Sequence, residues 1–220
     1  DLVRSRGLGD VYKRQFKGYQ HPHPAGILFY SFLFIGAGSL FFPQLTLFIP
    51  IFWIGAYSFQ ALTPKSFFGG LIGWTLPYWF LFGHAYFYGK IELFYQPFIE
   101  LVTFHPITLW NFPLWEIATL GYLFLLFIVS SVHCLVAGYE DKIRTRSYLH
   151  FLIFLTFCIF VYILLQPAQT FHLLPLLLIG VSILTGHFVV LTNSRASNVF
   201  FICALAGLIL LFGFNVWMLL

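Results

Sequence analysis

Residues 25–62 read AGILFYSFLFIGAGSLFFPQLTLFIPIFWIGAYSFQAL, without a single Asp, Glu, Lys, Arg or His. A helix that crosses a bilayer core needs about 20 apolar residues, so the stretch is too long for one crossing. Its natural break is Phe42-Pro43-Gln44, which predicts helices at 25–42 and 45–62. A membrane barrel strand would alternate apolar with polar residues and line a polar lumen; this stretch does neither.

Working outward, the same texture recurs at 66–88, 114–137, 149–165, 171–192 and 199–220. The predicted fold is all-α, a polytopic transmembrane helical bundle of about seven spans. Composition agrees. Of 220 residues, 60% are apolar, 22% aromatic and 8% charged, and the mean hydropathy is +0.89. A soluble domain carries about 25% charged residues, so this chain cannot clothe a water-facing surface. Soluble enzymes, disordered tails and nucleic-acid binders are excluded, the last despite a pI near 9.0.

The opening run DLVRSRGLGDVYKRQ (1–15) has a different character. Asp1, Arg4, Arg6, Asp10, Lys13 and Arg14 crowd into it, it has no apolar periodicity, and it lacks the apolar core of a signal peptide. It resembles translated adaptor sequence and is expected to be a non-native leader. Residues 16–220 are then a single transmembrane domain, truncated at its N-terminus. Cys134, Cys158 and Cys203 are isolated in apolar runs with no metal-binding spacing, so they are expected to be small buried residues.

Orientation follows from the basic residues of the short loops, which favour the cytoplasm. The 138–148 loop, GYEDKIRTRSY, holds Lys142, Arg144 and Arg146 and is expected inside. Alternation then puts Lys17, Lys65 and Arg195 inside and leaves Lys90 alone outside. Trp79, Tyr86, Tyr88, Trp110 and Trp115 fall near the expected outer interface, where aromatic belts form.

The longest connection, 89–113, is expected on that outer face. In it Glu92, Gln96 and Glu100 are spaced by four and share one helical face, as in a short amphipathic helix lying among headgroups. Pro97 argues against a helix, and a non-helical re-entrant loop is the alternative. Ionisable groups at membrane depth are costly and mark candidate sites. His84, Glu92, Glu100, His105 and Glu116 are the candidate acid/base residues, with His172, Gln44, Gln169 and Asn215 at the same level. Against this stands the plain reading, in which water at the headgroup boundary solvates them.

At the inner level lie His133 and His187. Neither has a second ligand at helical spacing, so no metal and no cofactor are expected. Gly69 and Gly73 form a GxxxG pair suited to close helix packing. Pro50, Pro77 and Pro175 are expected inside helices, as kinks. His21 to Pro24 reads as an extended lead-in to the first helix.

The strings LTPKSFFGGLIGWTLPYWF (62–80) and ELFYQPFIELVTFHPI (92–107) resemble an uncharacterised family of multi-pass membrane proteins of Bacteroidota. The resemblance runs through most of residues 19–220 and implies a bacterial inner (cytoplasmic) membrane protein. It carries no activity and no catalytic residue. The plan of many helices, acids on an outer loop and an interfacial helix also resembles membrane glycosyltransferases that use polyprenyl-linked donors, in architecture only. Two functions are therefore expected to compete. One is an accessory, envelope-associated membrane protein whose partners are membrane lipids. The other is a transferase acting on a lipid-linked substrate at the extracytoplasmic face, and a small-solute transporter is a weaker third. No nucleic-acid partner is expected.

Overall fold

A computed structural model describes residues 24–102, 113–137, 142–191 and 195–219, and among these no strand occurs. The chain divides into two compact units, Asp1–Phe104 and His105–Leu220.

In the first unit α1 runs Pro24–Phe41, followed by a 3-10 segment Pro43–Phe48, α2 Ile49–Ser58, α3 Pro64–Phe87 and α4 Glu92–Val102. α1 and α3 lie side by side and parallel. A methyl at Gly36 would come within 2.5 Å of the Trp74 carbonyl oxygen, and one at Gly69 within 3.1 Å of the Ala25 carbonyl oxygen. Gly73 sits closer still to the Phe29 backbone. The GxxxG spacing thus does pack backbone on backbone, which only small residues allow. Because α1 and α3 are parallel, the chain between them must travel back along α1. That helix is 18 residues long, about 27 Å. The six residues of 3-10 helix and ten of α2 together reach about 27 Å as well, since a 3-10 helix rises about 2.0 Å per residue. On this return path Trp53 lies against Phe32 and Phe67, with ring centroids 4.3 and 4.6 Å apart. Leu28, Phe32, Ile49, Ala56 and Ala61 form the buried core of the unit.

α3 begins with a reciprocal cap. The Ser66 N–H donates to Thr63 Oγ1 (3.2 Å) and the Thr63 N–H to Ser66 Oγ (2.7 Å), with Pro64 at the first helical position, where no N–H is needed. It ends on Gly89 at φ +65°. There the Lys90 N–H donates to the Ala85 carbonyl (2.9 Å) and the Gly89 N–H to the Tyr86 carbonyl (3.1 Å), a Schellman turn that favours glycine.

The second unit contains α5 Leu114–Ala137, α6 Ile143–Leu165, a 3-10 turn Pro167–Gln169, α7 Thr170–Leu191 and α8 Arg195–Leu219. α7 packs on both α5 and α6 and buries Leu173, Leu177, Val181 and Leu184. Ser130 meets Thr185 (3.1 Å) and Cys134 meets His187 (3.7 Å), so α5 and α7 are parallel. α8 is antiparallel to α5. Tyr122 donates to the Ala204 carbonyl and Asn215 Nδ2 to Thr119 Oγ1 (3.1 Å). Within this unit the starts of α6 and α8, with Lys142, Arg144, Arg146 and Arg195, therefore share one end. Glu116, His172 and Asn215 share the other.

Among the described residues, five helical segments are both long and apolar enough to cross a membrane: Pro24–Phe41, Leu114–Val136, Ile143–Leu165, Thr170–Val190 and Ser197–Met218. The expected count of seven is too high by this measure, and two segments account for the difference. The expected helix 45–62 is a 3-10 segment joined to a helix of only ten residues. α3, expected at 66–88, is long enough, but its Gly, Tyr, Trp and Pro content dilutes its hydropathy. Pro50 does not kink a helix; it is the second residue of α2, where a missing N–H costs nothing. α6 starts at Ile143 rather than 149, because Arg is a good helix former and the helix continues beyond its apolar run.

Candidate functional site

The amphipathic segment after α3 is a helix despite Pro97. The ring removes the bond to the Leu93 carbonyl only. Glu92 and Gln96 lie on its exposed side, while Phe94, Pro97 and Leu101 are half-buried. The apolar side docks on α3 through rings: Phe94 on Phe82 with centroids 5.2 Å apart, and Phe98 on Tyr78 at 5.3 Å. Tyr78 is itself fixed from behind, where its hydroxyl meets Ser39 Oγ (2.8 Å) and Thr46 Oγ1 (3.4 Å). Between the two helices lies a groove of about 330 Å³ lined by Thr75, Tyr78, Trp79, Phe82 and Phe94. Its walls are aromatic rings and one threonine. His84 is exposed outside it, beside the Tyr88 ring at 4.6 Å, and Glu92 is exposed at the start of α4.

In the second unit Glu116 is half-buried in the first turn of α5, and its N–H donates to the Pro113 carbonyl (3.0 Å). It borders a cavity of about 20 Å³ together with Trp115, Thr119, Leu120, Thr170, Phe171 and Leu174, room for about one water. One turn deeper, Thr119 accepts from Asn215 and donates to the Trp115 carbonyl (2.8 Å). Asn215 Oδ1 is buried with no partner among the described residues. His172 is exposed at the start of α7.

The candidate acid/base residues thus fall in both units. His84 and Glu92 belong to the first, where the groove holds neither. Glu116 belongs to the second, where it borders a cavity without another ionisable group. Glu100 lies in the backbone of α4; its side chain is outside the described residues, as is His105. Both Glu92 and Glu116 occupy first helical turns. There a carboxylate answers the partial positive charge of unpaired N–H groups, a structural role worth about 0.3–1 kcal/mol. That signal was present in the sequence.

Toward the C-terminal ends of α5 and α7, His187 pairs with Cys134, and the His133 ring stands 4.3 Å from Phe188. Among the described residues no three His, Cys, Asp or Glu side chains gather as a metal site. Sequence reasoning missed the Cys134–His187 contact and the Ser39–Tyr78–Thr46 cluster. Both depend on helix register, which no local spacing reveals. No family model, no curated protein and no solved structure matches the chain.

Proposed function

We propose that the chain is a multi-pass integral protein of a bacterial inner membrane, of the uncharacterised Bacteroidota type its sequence resembles, and that it serves an envelope assembly as an accessory rather than as a catalyst. One observation carries this reading. Among the described residues, neither the α3–α4 groove nor the cavity beside α5 holds an acid/base pair, and the carboxylates with described side chains stand in first helical turns. The five long apolar helices support the membrane setting. The orientation is supported within the second unit by the gathering of the basic starts of α6 and α8 at one end.

The test has two parts. The chain is expected to stay in the pellet on alkaline carbonate extraction. Lys142→Cys should label with an impermeant maleimide only from the cytoplasmic side, and Lys90→Cys only from the opposite side, in a background lacking the three native cysteines. For the accessory role, detergent-solubilised chain should migrate with other envelope proteins and show no transfer from a polyprenyl-linked sugar donor. Transfer that Glu92→Gln or Glu116→Gln abolishes would overturn the accessory reading in favour of a transferase.

A further inference from the structure

We infer that the groove between α3 and α4 holds one hydrocarbon chain of an anionic phospholipid, with the lipid phosphate at Lys90; this rests on the membrane setting proposed above. Three observations converge on it. The first is size and chemistry. About 330 Å³ bounded by Thr75, Tyr78, Trp79, Phe82 and Phe94 is near the lower end of ligand-binding cavities. One turn of a second helix, about 10 Å across with side chains and about 5.4 Å long, would already exceed that volume. The exposed flank, Trp79, Phe80 and Phe82, offers a flexible chain only apolar and aromatic contact.

The second is rigidity. The back wall is Tyr78, pinned by Ser39 and Thr46, and the opposite wall is Phe94, held edge-on against Phe82 and at a tilt against Phe98. The groove is therefore present before anything enters, and a bound chain need not order it.

The third is charge. In the described part of the first unit the basic residues are Lys65, at the start of α3, and Lys90. Lys90 lies at the α3–α4 corner, four residues before Phe94. The Schellman turn fixes its backbone, and its side chain is exposed. Tyr86 and Tyr88 stand exposed beside it, as aromatic residues do at the headgroup level. The titratable groups nearby are His84 and Glu92, both exposed. A phosphate at this corner meets Lys90, the one lysine or arginine at that end of the unit among the described residues, while its chain runs down α3 into the groove.

The full chain is reconstituted in nanodiscs of equal phosphatidylglycerol and phosphatidylcholine, extracted into mild detergent and weighed by native mass spectrometry. One lipid per chain is expected to remain, with phosphatidylglycerol favoured about fivefold, the effect of one lysine near an anionic surface. Lys90→Gln, a surface change that leaves the fold alone, should keep the lipid and lose the preference. Thr75→Trp should fill the groove and lose the lipid while helical content is unchanged. Three results would each overturn the assignment: wild-type chain without retained lipid, retention undiminished in Thr75→Trp, or a preference indifferent to Lys90→Gln. Disulfide cross-linking of Trp79→Cys between two copies would overturn it too, in favour of a dimer seated on the groove. Extraction by alkaline carbonate, by contrast, would refute the membrane setting itself.

Discussion

Gly73→Ala and Gly83→Ala are the same chemical change on the same helix, α3, and should have opposite signs. At Gly83 an added methyl meets nothing within 4 Å. The substitution therefore adds only helix propensity, up to about 1 kcal/mol of stability. At Gly73 the methyl would lie inside the contact distance of the Phe29 carbonyl oxygen and only 3.2 Å from the Phe29 Cα. Backbone cannot swing aside as a side chain can, so α1 and α3 must separate. Overpacking costs about 1–3 kcal/mol, and the propensity gain offsets up to about 1 of it. The net expectation is a loss of about 1–2 kcal/mol, or roughly 5- to 30-fold in the folded-to-unfolded ratio. The assay is reversible unfolding of the purified chain in mixed micelles as the denaturing detergent fraction rises, followed by far-UV circular dichroism. Equal midpoints for the two variants, or a more stable Gly73→Ala, would refute the parallel backbone contact and with it the returning path through α2.

Thr63→Ala should cost about 1 kcal/mol in the same assay by removing the reciprocal cap of α3, and Thr63→Ser should recover most of it. Tyr78→Phe should cost about 1 kcal/mol, since Ser39 and Thr46 lose a partner while Ser39 keeps its bond to the Gly36 carbonyl. Asn215→Leu should be nearly neutral, within about 0.6 kcal/mol. An interhelical hydrogen bond in a membrane is worth about that much, and the substitution also removes the unpartnered Oδ1. A loss above 2 kcal/mol there would mean that Asn215 holds something beyond Thr119.

Where the sequence was legible, charges and prolines had marked the boundaries. α5 matches its expected bounds, 114–137, because Pro113 precedes it and the charged 138–148 segment follows. α6 does not, because Arg144 and Arg146 sit in its first turns, so the apolar run marks only part of the helix. Arg144 instead donates to the Tyr148 hydroxyl one turn on (2.9 Å). The expected 45–62 helix is interrupted because Pro43 opens a 3-10 segment and Pro50, expected as a kink, lies in the first turn of a separate short helix. The spacing of Glu92, Gln96 and Glu100 located an amphipathic helix correctly. The groove was not legible. It exists because Phe94 meets Phe82 and Phe98 meets Tyr78 across a turn, and that register is set by the Gly89 corner rather than by any periodicity.

The parallel pairing of α1 with α3 also constrains how the first unit can be made. Phe29 and Gly73 are 44 positions apart in the chain, and synthesis at about 5–20 residues per second separates their emergence by roughly 2–9 s. During that interval α1 has no α3 to lie against. Its glycine face stands open, and the Ser39 hydroxyl, wholly enclosed in the finished protein, has no Tyr78 to bond. α1 must wait without its partner until residues 43–63, and then α3, have followed it. Slowing translation between codons 43 and 63 should lengthen that wait and leave more of the chain open to membrane proteases, with no change in the amino-acid sequence.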